Sequence, residues 1–232
     1  MTSVTPRRRH SAVDGSPISP AMEDYVKSIY QLKHDEGRVT TQLLADHLGV
    51  APASVTNMLK RLSECKLVEY ERYKRVDLTE AGRKIAMEMI RHHRLLELYL
   101  TQALGFSWDT VHAEAERLEH YISEELEARI DEALGYPSHD PHGSPIPTLE
   151  GEVPVQESSL LSEQDLNHAV AVLRIDDEDP AVLRAAAEYG LVPGVTVEVL
   201  GRPRGGSTHL RIGPGERLVP PQLCARIRVG PV

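Results

Sequence analysis

Residues 40–79 read TTQLLADHLGVAPASVTNMLKRLSECKLVEYERYKRVDLT. TTQLLADHL has a Thr cap at Thr40 or Thr41 and stops at Gly49, the punctuation of a short helix. Pro52 opens the next segment, where its fixed φ suits a first helical turn and its missing N–H costs nothing. Val55, Met58, Leu59 and Leu62 then recur at helical spacing, which predicts a helix from Pro52 to about Glu64. LVEYERYKRVDLT alternates and carries the basic centre RYKR, which predicts a short β-hairpin. Helix, turn, helix and hairpin make the winged helix-turn-helix plan, whose second helix enters the DNA major groove.

Upstream, Met22, Tyr25, Val26, Ile29, Tyr30 and Leu32 predict a helix from Pro20 to about Lys33, broken at Gly37. A DNA-binding domain at 21–78 follows. The groove side of its reading helix would show Pro52, Ala53, Ser54, Thr56, Asn57 and Lys60. Asn57 could bond an adenine edge and Ala53 could touch a thymine methyl. Arg72, Lys74 and Arg75 on the wing would meet phosphates. The plainer alternative is a helical pair with no nucleic-acid partner, and the basic hairpin argues against it.

Downstream, a helix is expected from Thr79 to about Gly105, and one long helix over 109–134. On the latter, His112, Glu116, Glu119 and His120 fall in one arc roughly 100° wide. Val111, Ala115, Leu118 and Ile122 form a neighbouring apolar stripe. An acidic and imidazole stripe beside a packing stripe can hold a metal ion, and His93 and Glu97 stand four apart on the preceding helix. A solvated face with helical Glu–His pairs is the bland alternative. YPSHDPHGSPIP closes this helical region, 79–147, and 148–160 reads as a linker. From 161 the texture changes to HAVAVLRI, GLVPGVTVEVL, STHLRIG and ARIRVG as strands, with a helix from Pro180 to about Tyr189. Short strands at regular spacing suggest a small closed barrel over 161–232.

Charge is uneven along the 232 residues. Residues 1–78 hold 12 Lys/Arg against 10 Asp/Glu, 79–160 hold 6 against 16, and 161–232 hold 8 against 9. Six of the eleven histidines lie in the acidic middle. Such a middle repels nucleic acid unless cations neutralise part of it. No apolar run approaches the roughly 18 residues of a membrane span, and residues 1–20, rich in Pro, Ser and Arg, read as a disordered basic arm without the apolar segment of a secretory signal. A cytoplasmic protein without a membrane partner is expected. Cys65 and Cys224 are far apart, without ligand-like spacing, and read as inert thiols.

The ordered set of motifs resembles the diphtheria-toxin-repressor family of metal-dependent transcription regulators, and most nearly its manganese-transport branch. MEDYVKSIY (22–30), VAPASVTNMLKRL (50–62), VDLTEAGRKIA (76–86), RHHRLLELYL (91–100) and VHAEAERLEHYIS (111–123) carry the likeness. DPHGSPIP (140–147) and LVPGVTVEV (191–199) add to it. The resemblance implies a mainly α chain: a winged helix-turn-helix and a helical dimerisation domain, followed by a small SH3-like (FeoA-like) β-barrel. It implies a primary metal site at Asp24, Glu116, Glu119 and His120. A second site is implied at His93, Glu97 and His112, with Asp140 and His142 from the DPHG loop and Asp179, or Glu178, from the barrel. Val182 stands where a further barrel ligand is often found. Lys27 stands where the manganese branch tends to carry a glutamate, and its ammonium would oppose a second cation there.

Hard carboxylate ligands with one imidazole suit Mn(II) first and Fe(II) second. The expected protein is a dimeric, metal-activated repressor of metal-uptake genes that binds palindromic double-stranded DNA and is not an enzyme. Two alternatives stand beside it. One is a winged-helix regulator sensing an organic ligand. The other is a di-metal enzyme, which needs Glu-x-x-His from each of two helices; the Glu116–Glu119–His120 pattern occurs once.

Overall fold

The computed structural model describes residues 18–71, 75–176, 179–203 and 206–232. Two compact units emerge. The first takes the chain up to His92 with Leu118–Arg129 and Pro147–Glu152; the second takes His93–Arg117, Ile130–Ile146 and Val153–Val232.

The first unit opens with α1 (Pro20–Glu36), α2 (Thr41–Leu48) and α3 (Pro52–Glu64), followed by strands β1 (Val68–Glu71) and β2 (Arg75–Leu78). Helix α1 runs one turn past the expected end and stops at Gly37, whose φ of 69° is left-handed. Thr40 caps α2, its side-chain oxygen accepting the Leu43 N–H at 3.1 Å. Met22, Val26, Ile29, Leu44, Val55, Leu59 and Leu62 share one buried core. Strands β1 and β2 pair antiparallel from Val68↔Leu78 to Glu71↔Arg75. The proposed wing contacts Arg72 and Lys74 lie outside the described residues, as do 1–17 of the basic arm. Ile18, Ser19 and Pro20 depart from the expected disorder: Ile18 is buried and Ser19 precedes α1.

Helix α4 (Glu80–Leu104) leaves the hairpin at a tight junction. Thr79 Oγ1 accepts the Gly82 N–H at 3.1 Å and donates to Lys66 O at 2.7 Å. A Cβ on Gly82 would stand 2.1 Å from Leu67 O, so only glycine lets the helix approach this backbone.

The expected single helix over 109–134 is two. Helix α5 spans Val111–Leu118 and α6 spans Glu124–Ala133, with a turn at 119–121. The break has a local cause. Ser123 Oγ accepts the Leu126 N–H at 3.2 Å, and Glu124, Glu125 and Glu127 fill the first turn, where carboxylates suit the helix dipole. His92 also donates through Nδ1 to the Glu119 carbonyl at 3.1 Å, satisfying an acceptor that the broken helix releases.

In the second unit, six antiparallel strands run in the order β3-β8-β4-β5-β6-β7. They are β3 (Ser159–Leu160), β4 (Ala169–Ile175), β5 (Thr196–Gly201), β6 (Thr208–Ile212), β7 (Gly215–Val219) and β8 (Ile227–Gly230), with α7 (Pro180–Tyr189) and α8 (Pro221–Cys224) between them. Val172, Ile175, Leu183, Val197, Val199, Leu210, Ile227 and Val229 form the core. Ser159 and Leu160, expected in the linker, pair with β8. Among the described residues no pairing joins β3 to β7, so the strand ladder itself stays open. The DPHG loop sits against β4: Ile175 N donates to His142 O at 3.0 Å. None of the described helices is long and apolar enough to cross a membrane.

Candidate metal centre

Helix α1 carries Glu23, Asp24 and Lys27 within about one turn, and the turn after α5 carries Glu119 and His120. His120 Nε2 lies 2.9 Å from Asp24 Oδ1 and 3.8 Å from Glu119 Oε1. Its other nitrogen, Nδ1, lies 2.8 Å from Glu23 Oε2. Asp24, Glu119 and His120 each offer a ligand atom within 4.8 Å of the others. Glu119 is fully buried, and both its oxygens accept from Lys27 Nζ at 2.9 Å. Burial disfavours charge on His120, but Asp24, Glu23 and Glu119 outweigh it and push its pKa up to about 9. At neutral pH the imidazole therefore carries a proton.

Sequence reading missed Glu23 as part of this centre, and it marked Lys27 only as a charge opposing a second cation, not as the partner of Glu119. A signal existed: Glu23, Val26, Lys27 and Tyr30 follow helical i, i+3, i+4 spacing, which sets both charges on the face that packs inward. Glu23 bonds one nitrogen of His120 and leaves the other aimed at Asp24, as carboxylates do behind metal-binding histidines. His92 is buried too. It supports the Glu119 backbone, and its Nε2 lies 3.1 Å from Glu127 Oε2, while Arg91 Nε holds Glu127 Oε1 at 2.5 Å. Burial raises the Glu127 pKa, but His92 and Arg91 outweigh it and the net shift is downward.

A second cluster stands in the other unit. His93 and Glu97 lie one turn apart on α4, and His112 projects from α5. His93 Nε2, Glu97 Oε1 and His112 Nδ1 are mutually 2.9, 3.0 and 3.1 Å apart. Ligands held at about 2.1 Å from an ion and at right angles are roughly 3.0 Å apart. Glu116 joins this group, 3.6 Å from His93 Nδ1 and 3.9 Å from His112 Nε2.

From the DPHG loop, Asp140 Oδ1 accepts the His142 and Ser144 N–H groups, both at 2.9 Å. His142 Nε2 donates to Trp108 O at 2.6 Å, which aims Nδ1 at Glu97 Oε2, 3.5 Å away. Glu97, Asp140 and His142 form a further buried group of possible ligands. Burial would raise the Glu97 pKa, but His93, His112 and His142 outweigh it and hold the carboxyl well below its usual range.

Asp179 departs from the expected ligand role. It is exposed, and its Oδ1 accepts the Ala181 N–H at 2.8 Å as the cap of α7. It belongs to none of the metal-sized clusters among the described residues, and Glu178 lies outside those residues.

On α3, Val55, Leu59 and Leu62 face the core, while Pro52, Ala53, Ser54, Asn57 and Lys60 are exposed. Thr56 is half-buried and its hydroxyl donates to Pro52 O at 3.0 Å, so that proton is committed to the helix. The face is small and polar with one cation, and Arg61 adds a second exposed one.

Residues 18–76 match the family model described as the iron dependent repressor N-terminal DNA binding domain, and 79–148 match its metal binding and dimerisation domain. Residues 160–231 match the FeoA domain. The HTH-type transcriptional regulator MntR of Geobacillus kaustophilus is 34% identical over 122 residues, 53% of this chain and 86% of that protein. The chain belongs to the diphtheria-toxin-repressor family of iron- and manganese-dependent transcriptional repressors. The iron-dependent repressor IdeR of Mycobacterium tuberculosis (H37Rv) is 29% identical over 219 residues, 89% of this chain and 95% of that protein. A solved manganese-dependent transcriptional repressor in complex with manganese is 36% identical, with a TM-score of 0.85 over 91% of this chain and all of that one.

The metal such a repressor requires fits the donors present in this family member. Glu97 Oε2 is fully buried and accepts no hydrogen bond, an arrangement that a cation at the cluster would relieve. Around Asp24, Glu119 and His120, two carboxylates and an imidazole with no thiolate make a hard set suited to Mn(II) or Fe(II).

Proposed function

We propose that the chain is a Mn(II)-activated repressor, with Fe(II) as the second candidate, acting in the cytoplasm as a homodimer on palindromic double-stranded DNA. The observation that carries this reading is the convergence of Asp24 from α1 on Glu119 and His120. In it, Asp24, Glu119 and His120 form the core of the primary site. Glu116, which the family resemblance implies as the fourth ligand, completes that site. His93, Glu97 and His112, with Asp140 and His142, form the second site.

A bound ion supplies positive charge and fixed ligand directions. The chain does the rest. Asp24 sits on the first helix of the DNA-binding part, so its capture by Glu119 and His120 fixes α1 and the core on which α3 rides. Two copies of α3 must stand about one turn of DNA apart, or a multiple, to read both halves of a palindrome. Pro52, Ala53, Ser54, Thr56, Asn57 and Lys60 would meet the groove, with Arg72, Lys74 and Arg75 on phosphates. Metal also neutralises part of the acidic middle, which reduces repulsion of DNA phosphates. It favours DNA binding only through its preference for the competent form.

Titration of the metal-free protein with Mn²⁺, read by the electron-spin signal of the free ion, tests this directly. Saturable binding is expected, and it tightens with pH. His120, with a pKa near 9, must shed its proton to accept the metal. The apparent affinity of its site therefore rises up to about tenfold per unit between about pH 7 and 9, then levels. Absence of binding, or an affinity that falls as pH rises through this window, would contradict the assignment.

A further inference from the structure

Lys27 is a buried cation placed on a buried ligand. Its side chain is 6% exposed, that of Glu119 is fully covered, and Nζ donates to both carboxylate oxygens at 2.9 Å. Glu119 Oε1, the oxygen 3.8 Å from His120 Nε2, is one of the two that the ammonium holds. A divalent ion shared by Asp24, His120 and Glu119 would stand beside that ammonium with little water to screen the repulsion.

We propose that Lys27 is an internal competitor for the metal, a residue that sets how much Mn²⁺ the primary site needs. The inference rests on the proposed metal role of Asp24, Glu119 and His120.

Without metal, Lys27 neutralises Glu119 and keeps α1 docked on the turn after α5, so the ligands stay close to their working positions. When metal arrives, one of two rearrangements follows. Either Lys27 swings off on its flexible four-carbon stem, or it keeps one oxygen and yields the other. In both cases the ammonium weakens metal binding, and by linkage the metal weakens the ammonium's hold on Glu119 to the same degree. Helix α1 supplies the competitor three residues after the ligand Asp24 and four after Glu23, which positions His120. One turn of helix therefore carries a ligand, an orienting group and a counterweight.

The test uses the full chain with His112→Ala, so that the second cluster contributes little, and reads Mn²⁺ affinity from the free-ion spin signal. Lys27→Met is expected to tighten binding by about tenfold, within the usual range of coupling between two ligands. Lys27→Gln, which keeps a polar contact to Glu119 but no charge, should tighten it in the same direction and serves if the Met variant folds poorly. Lys27→Arg, which keeps the charge, should not tighten it. Thermal unfolding gives a second readout: metal-free Lys27→Met should melt below its parent and gain more from added Mn²⁺.

Glu119→Gln separates the two claims. If it leaves Mn²⁺ binding unchanged, the primary site is misassigned and the competitor falls with it. If it removes binding while Lys27→Met and Lys27→Gln bind no tighter than the parent, the site stands and the competitor is overturned.

Discussion

Glu119→Ala is expected to remove Mn²⁺-dependent DNA binding, by about a hundredfold or more in affinity with metal present, while leaving a folded protein. The residue has two tasks at once. It offers a carboxylate beside His120 and Asp24, and it neutralises the buried Lys27. Truncation removes a metal ligand and leaves the ammonium to find water along its flexible stem. The cost to folding is moderated because α1 keeps its apolar anchors Met22, Val26 and Ile29. Fluorescence anisotropy of labelled operator DNA with and without Mn²⁺, beside circular dichroism and sedimentation, checks both halves. Unchanged metal-dependent DNA affinity in a folded variant would count against the primary site.

Gly143→Ala should destabilise the second unit by about 3–5 kcal/mol, combining left-handed backbone strain with overlap against backbone. Gly143 has φ +88°, and a Cβ there would stand 1.8 Å from Leu173 O. The neighbour is β4 main chain, which cannot rotate aside as a side chain can. The loop turns at this point so that Asp140 can accept its two N–H groups and His142 can reach Glu97. Loss of that turn should lower the melting temperature and loosen the His142 end of the second cluster. Thermal unfolding with and without Mn²⁺ measures both effects, and an unchanged melting temperature would show that the loop does not need this close approach.

The winged-helix segment was legible because its punctuation is local. Thr40, Gly49 and Pro52 fix helix ends through their own backbones, and the spacing of Val55, Leu59 and Leu62 fixes the inner face. The region after Asp109 was less legible. Its 3.6-residue periodicity runs on through 119–123, so the stripe reads as continuous although Ser123 restarts the helix. The break matters chemically, because it takes Glu119 and His120 off the regular helix. Strand β7 and helix α8 escaped for a different reason. GERLV keeps its middle residues exposed and offers little apolar alternation, and PQLC makes little more than one turn. Asp179 shows a limit of another kind: aspartate before Pro-Ala reads equally as ligand or helix cap, and the fold uses it as a cap.

The candidate site was legible in kind and incomplete in membership. His93, Glu97, His112, Asp24, Glu119 and His120 stood out as ligand types at helical spacing or through family motifs. Glu23 and His92 did not, and Lys27 stood out only as an obstacle to a second cation and not as the partner of Glu119, because their partners lie 97, 27 and 92 residues away in the chain. Pairings of that range come from the packing of α1 and α4 against the turn after α5, and no short window of sequence contains them.

The most direct measurement is selection of genomic DNA fragments by the purified protein, with and without micromolar-to-millimolar Mn²⁺. Enrichment of a palindromic site only when Mn²⁺ is present is the expected result, and it would also give the operator. Equal enrichment of the same site without metal would contradict metal activation and reduce the Asp24–Glu119–His120 cluster to a structural ion-pair network.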